Sequence, residues 1–427
     1  MGEKMIETYT FKNGIRLAVE NMPYAKTVSC TFDFNAGTLY ENDNEKGIAH
    51  LIEHLIFSGT KKRNKFQIRN ELDNINTIFN AQTSITKTRF YIKNIKEYFE
   101  TAFEVMMDVL QNSTFTTTNI EKEKDIVKDE IIRYKDINTD VISEATRSAY
   151  FNGTGYDKTI LGTNESLDKI TRKQILNFYK NRYTPNNLIV SFAGNITLKE
   201  ARNLLIKHFT DEFLTREKTE SEEYKNQIHI PNKKVVCVNK KAEQCQILLK
   251  FPAPNCLNSM YYATNILVSI LGGDASSRLF KSVREKYGLV YSISCFLEEC
   301  PIGGVINIYF ATNYNNVEQA LEIIKQELNL IRKNGIKDTE LHHEKQKIKI
   351  SLLTDSEDGL SCSIGNSIDL HKHNKCFDIE DVVKEYSSVN KKQIKEVANL
   401  FLNTNHSVFG ILGTKVNSKI FNNFVIE

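Results

Sequence analysis

The chain has 427 residues, with 56 Lys+Arg against 53 Asp+Glu, 41% hydrophobic and 10% aromatic residues. That length allows two or three domains and a core large enough to need no covalent staples. The near-neutral charge argues against a nucleic-acid binder, the composition excludes wholesale disorder, and no apolar run approaches the roughly 20 residues of a membrane-spanning helix.

The opening residues, MGEKMIETYTFKNG, hold no apolar core behind the lysine, so no secretory signal is expected. The eight cysteines (30, 237, 245, 256, 295, 300, 362 and 376) form no CxxC pair and are expected to be reduced, mostly buried thiols of a cytoplasmic protein. Abundant Asn, Ile and Lys point to an AT-rich bacterial genome.

In chain order, residues 27–35 (TVSCTFDFN) predict a buried strand, 47–57 and 65–75 helices, and 80–94 a Thr- and aromatic-rich strand. Helical patterns follow at 95–111, 119–135 and 173–183, then a strand at 188–192 leading into Ala193-Gly194. Residues 210–226 (TDEFLTREKTESEEYKN) are charged and lack apolar periodicity, which predicts a linker. Beyond it strands are expected at 235–237, 246–251 and 305–311, and helices at 261–271, 278–286, 316–334 and 339–353.

The order of elements repeats. The run at 120–124 (IEKEK) precedes that at 341–345 (LHHEK) by 221 residues, and Phe90-Tyr91-Ile92 precedes Ile308-Tyr309-Phe310 by 218. Near-equal offsets are what a tandem duplication leaves. The expected architecture is α+β: two related halves, 1–209 and 227–427, each an antiparallel-rich sheet covered by helices.

The strongest chemical signal is His50-Leu51-Ile52-Glu53-His54. On a helix at about 100° per residue, the two histidines and Glu53 share one narrow stripe. The surrounding Ile48, Ala49, Leu51, Ile52, Leu55, Ile56 and Phe57 make the helix apolar almost all round, and therefore buried. Buried imidazoles and carboxylates need partners. Two histidines one turn apart can ligate one zinc, with the adjacent Glu acting on a water molecule, although satisfied core histidines would look the same locally. A third ligand is expected on another element. In 119–135, Glu130 falls inside a stripe formed by Ile126, Val127, Ile131 and Tyr134, with Lys122, Lys124, Asp125, Lys128 and Asp129 outside it. Metal is one partner for such a carboxylate and a helix-edge ion pair is another; Glu123, one heptad earlier, is placed to orient a ligand.

These residues resemble the insulinase/pitrilysin superfamily of zinc peptidases, which carry the inverted HxxEH motif. The likeness is closest to the small two-domain group that includes the mitochondrial processing peptidase β subunit and its bacterial homologues. It rests on Lys12–Arg16 (KNGIR), 50–60 (HLIEHLIFSGT), 80–84 (NAQTS), 121–130, Leu161-Gly162-Thr163, 178–187, Ala193-Gly194-Asn195, 271–280 (LGGDASSRLF) and 283–291 (VREKYGLVY). The resemblance implies a clamshell of two halves around a chamber. In it, His50, His54 and Glu130 bind one Zn2+ per chain, Glu123 supports them, and Glu53 is the general base for attack of zinc-bound water. It implies that Arg284 and Tyr291 act on the substrate from the second half, and that an extended peptide adds to the edge strand at Asn80, Ala81 and Thr83. The implied activity is endoproteolysis of short or unfolded peptides such as leader or targeting segments. A homodimer is expected ahead of a heterodimer, with no nucleic-acid or membrane partner. The alternative is a zinc-retaining subunit that depends on a partner chain, or a non-catalytic scaffold subunit.

The sequence departs from the family pattern at Thr86, where an acidic residue is usual. In the second half, Leu271–Asp274 and Ser351 stand where the first half has its histidines and Glu130, so that half is expected to be metal-free. His342-His343 and the polar, loop-like His371-Lys372-His373 are expected on a solvated surface, and Cys295 in the core.

Overall fold

The computed structural model describes residues 6–426. The β-rich runs form two sheets. β1 (Ile6–Thr10), β2 (Arg16–Asn21), β3 (Thr27–Phe34), β4 (Ile78–Thr83), β5 (Thr88–Ile95) and β6 (Leu188–Gly194) pair in the order β1-β2-β6-β3-β5-β4. β7 (Lys234–Asn239), β8 (Cys245–Ala253), β9 (Ser292–Cys300), β10 (Gly303–Thr312) and β11 (Val408–Gly413) pair in the order β7-β11-β8-β10-β9. One neighbouring pair in each sheet is parallel, β2 with β6 and β7 with β11, and the other pairs are antiparallel. Setting β2-β6-β3-β5-β4 beside β7-β11-β8-β10-β9 gives the same strand order with the parallel pair in the same place. The class is α+β, and the duplicated order of the sequence is a duplicated topology.

The first five α-helices are α1 (Ile48–Ile56), α2 (Lys65–Asn74), α3 (Lys96–Asn112), α4 (Thr117–Asp136) and α5 (Asn138–Tyr150). The expected single strand at 80–94 is instead the hairpin β4–β5. Its turn is closed by Ser84 N–H donating to the Lys87 carbonyl at 2.8 Å and Lys87 N–H donating to Ser84 Oγ at 3.2 Å. The Ser84 hydroxyl closes a turn that Gly or Asn more often signals.

The compact units are not continuous in sequence. One comprises the chain up to Arg133 with Lys158–Glu222 and Leu353–Ile379; the other comprises Tyr134–Asp157, Glu223–Leu352 and the chain from Glu380 on. Each therefore holds one helix drawn from the opposite end of the chain. In the first unit, the helix Gly359–His373 lies on β2, β3 and β6 through small polar side chains. Ser363 Oγ meets Thr31 Oγ1 at 2.9 Å, Ser367 Oγ donates to Asp33 Oδ2 at 2.7 Å, and Asn366 Nδ2 donates to Glu20 Oε2 at 2.7 Å. In the second unit, α5 covers β11 and β8. A Cβ on Gly410 would lie 2.2 Å from Thr146 Cγ2, so only glycine lets that helix approach so closely.

The charged segment after residue 210 is packed onto the first unit up to Glu222. Phe213 is buried beside Phe34, and Thr219 and Ser221 bond to Asn187. His371-Lys372-His373 is the last turn of a helix and not a loop, and burial pushes the His371 pKa down to about 3. Of the cysteines, Cys30, Cys245 and Cys295 are buried and Cys237 is exposed. Among the described residues no helix is long and apolar enough to cross a membrane.

Candidate metal centre

The site is built on α1, and the chain fixes the start of that helix firmly. Gly47 caps it at φ +91°, a left-handed conformation, and a Cβ there would meet the Leu161 carbonyl oxygen at 2.6 Å. Gly162 closes the same contact from the other side, against the Lys46 carbonyl, which also accepts a hydrogen bond from Ser166 Oγ at 2.7 Å. The Leu161-Gly162-Thr163 segment is thus a clamp on the helix start. Glu41, 4% exposed, accepts the N–H groups of Gly47 and Ala49 at 3.1 and 3.0 Å, satisfying first-turn donors that a helix leaves unpaired. Burial pushes its pKa up to about 8.

Down the helix, His50 and His54 stand one turn apart with ring centroids separated by 4.7 Å. Glu130 of α4 reaches both: its Oε2 lies 3.7 Å from His50 Nε2 and 3.6 Å from His54 Nε2. One ligand atom from each of the three residues lies within 4.8 Å of the others. Ligands about 2.0–2.1 Å from a tetrahedral ion stand about 3.4 Å apart, so this triangle has the size of three corners of a zinc site. The donor chemistry also fits, with two imidazoles and one carboxylate. Burial, with the charge of His54, pulls the His50 pKa down to about 3, which keeps its ring neutral and able to offer a lone pair.

Around the triangle the polar groups are organised. Glu123, with a side chain 5% exposed, places Oε2 at 3.4 Å from His54 Nδ1. That contact assigns the proton to Nδ1 and leaves Nε2 facing Glu130. Against the cost of burial, bonds from His54, Lys65 and Ser58 hold Glu123 down to about 2. Lys65 Nζ and Ser58 Oγ donate to its Oε1 at 2.7 and 2.9 Å. Burial alone would lower the His54 pKa, but Glu123 and the nearby carboxylates raise it instead. Burial raises the Glu53 pKa, with its bond to Thr83 opposing the shift.

The structure brings His50, Glu53, His54, Glu123 and Glu130 together. The stripe assigned to α4 needs correction: Ile126 is 45% exposed, while Lys124 is buried and paired with Glu121 at 3.2 Å. Ser58 and Lys65 escaped sequence reasoning, because neither residue carries a local sign that it meets Glu123. Asn80, Ala81 and Thr83 lie on β4, which is the edge of its sheet. Asn80 is exposed, whereas the Thr83 hydroxyl is turned onto Glu53. Arg284 and Tyr291 belong to the second unit, where the guanidinium sits 5.3 Å from the Tyr291 ring and Tyr291 is 78% exposed.

The second unit has its own counterpart of Glu123. Glu344, 5% exposed, accepts from Ser269 Oγ at 2.5 Å and from Lys347 Nζ at 2.9 Å, and Lys347 also reaches Asp274. A lysine ammonium supplies the positive charge beside that carboxylate. His342 and His343, on the same helix, are exposed.

Comparison with known proteins gives the family. The model described as Insulinase (Peptidase family M16) matches residues 16–164, and that described as Peptidase M16 inactive domain matches residues 169–348. A Rickettsia bellii protein described as an uncharacterized zinc protease is 31% identical over 342 residues, covering 80% of this chain and 81% of that protein. A Bacillus subtilis protein of the same description is 29% identical over 397 residues, covering 92% and 95%. The chain belongs to the insulinase family of peptidases, M16. The crystal structure of a Helicobacter pylori protease shares the fold at a TM-score of 0.88 and 21% identity, covering 96% of this chain and 99% of that one. A Pseudomonas fluorescens structure of a peptidase M16 inactive domain does so at 0.85 and 17%, covering 96% and 98%.

Proposed function

We propose that the chain is a zinc-dependent endopeptidase in which His50, His54 and Glu130 hold the metal and Glu53 is the general base. The observation that carries this reading is the convergence of three ligand atoms, two of them on one buried helix, with an ionisable carboxylate beside them. Zinc held there supplies Lewis-acid polarisation of water and of a peptide carbonyl. Glu53 takes a proton from the attacking water and delivers it to the departing amine. Burial raises the Glu53 pKa, the direction that makes a carboxylate a better proton acceptor.

The edge position of β4 supports an extended or unfolded peptide as substrate, because an edge strand offers backbone groups to a further strand. The family resemblance assigns Tyr291 and Arg284 to substrate stabilisation, and that assignment is part of the proposal. So is a single zinc per chain, supported by Lys347, whose ammonium already balances Glu344.

Metal removal tests the function. Cleavage of a mixed pool of unfolded peptides is expected to stop on dialysis against a chelator and to return when zinc is restored. Cleavage that survives chelation contradicts the proposal. Zinc binding without cleavage would favour instead a subunit that requires a partner chain.

A further inference from the structure

Side chains alternate along a strand, so Phe79, Ala81 and Thr83 share one face of β4 and Ile78, Asn80 and Gln82 the other. The first face packs on α1 and the residue that caps its end: Phe79 meets Phe57 with ring centroids 5.8 Å apart, and Thr83, 6% exposed, ends the row. The Thr83 hydroxyl donates to Glu53 Oε2 at 2.5 Å. Among the described residues it is the one side-chain hydroxyl bonded to Glu53.

The surroundings fix the direction of that bond. Thr88 Oγ1 is the other polar neighbour, 3.4 Å from Thr83 Oγ1. Thr88 gives its own proton to the Ala36 carbonyl at 3.1 Å, so it presents only lone pairs to Thr83. The proton of Thr83 therefore has a choice between a distant neutral hydroxyl and a close carboxylate, and the carboxylate is much the stronger acceptor.

We propose that Thr83 is a positioning residue for Glu53 and not a contact for the peptide. Its hydroxyl occupies Oε2 as a permanent acceptor, so that the proton taken from water is carried on Oε1. No bond to Thr83 forms or breaks: water loses the proton, Glu53 Oε1 gains it, and the leaving amine later receives it. The hydrogen bond to Oε2 persists in both states, since a neutral carboxyl group still accepts through its carbonyl oxygen. A misplacement of about 1 Å in such a group costs about a hundredfold in rate.

This inference rests on the peptidase reading above. The test compares wild type with Thr83→Val, which keeps shape and removes the hydroxyl, and Thr83→Ser, which restores it. Thr83→Val is expected to lower kcat about 10- to 100-fold with KM within about twofold and zinc content unchanged. Thr83→Ser is expected to recover most of that loss. A raised KM at unchanged kcat, or loss of zinc from Thr83→Val, overturns the proposal. Crystal structures of the same proteins give a readout free of activity. Glu53 should hold one rotamer in wild type and Thr83→Ser and leave it in Thr83→Val, and an unmoved Glu53 in Thr83→Val overturns the proposal even if no variant, wild type included, cleaves a peptide.

Discussion

Glu53→Gln is expected to lower peptide turnover by about 10²- to 10⁴-fold while zinc stays bound. Glutamine keeps the size of the side chain and an amide oxygen that can still accept from Thr83 Oγ1, so the local packing of α1 is retained. It cannot take up a proton, and that is the function assigned to Glu53. None of the three proposed ligands is altered, which separates loss of the base from loss of the metal. Parallel measurement of initial rates on a peptide pool and of zinc by elemental analysis checks the result. Full activity in this variant would remove Glu53 from the proposed chemistry; loss of both zinc and activity would mean it supports the metal and not the proton transfer.

The largest effect on stability is expected at Asp33, far in role from the chemistry. Its carboxylate is 1% exposed and receives Arg89 Nε and Nη2 at 2.7 Å each, Lys87 Nζ at 2.9 Å and Ser367 Oγ at 2.7 Å. Asp33→Ala leaves two cations without their shared counter-ion, and removing one partner of a buried ion pair costs about 3–5 kcal/mol. Denaturant unfolding should show a lower midpoint for the transition of the first unit, with Asp33→Asn losing less because it keeps hydrogen-bond acceptance. The sign of the pH effect follows from the shift. Burial opposes ionisation, but Lys87 and Arg89 outweigh it and hold the Asp33 pKa well below the usual carboxylate range. The group binds its proton more weakly folded than unfolded, so its stabilisation is complete above about pH 4 and is lost as pH falls toward the folded pKa. Wild type should therefore weaken steeply in acid, and Asp33→Ala should show a shallower acid limb. Equal midpoints at neutral pH would contradict the account.

How far the sequence reveals these features depends on whether the signal is local. The helix carrying His50, Glu53 and His54 was legible because three ionisable groups stand on one stripe of an almost wholly apolar helix, where each needs a polar partner. Glu130 was legible from periodicity. The same periodicity misplaced Ile126 and Lys124, since it marks a stripe without saying which neighbour covers it. The helix Gly359–His373 (GLSCSIGNSIDLHKH) was not predicted, because its buried side is made of Ser and Asn that bond to strand side chains instead of an apolar row. Ser58, Lys65 and the role of Thr83 depend on tertiary contacts between residues tens of positions apart, such as the 58 between Lys65 and Glu123. The exchange of α5 and the helix Gly359–His373 between the units is likewise a matter of packing, to which a reading in chain order is blind.

The most direct test of the central claim is the zinc content of purified wild type and Glu130→Gln by elemental analysis. Glu130 supplies the carboxylate that lies within 3.7 Å of both proposed histidine ligands. About one zinc per wild-type chain is expected, largely lost in Glu130→Gln. A wild-type protein that holds no zinc, or a Glu130→Gln protein that holds as much as wild type, would contradict it.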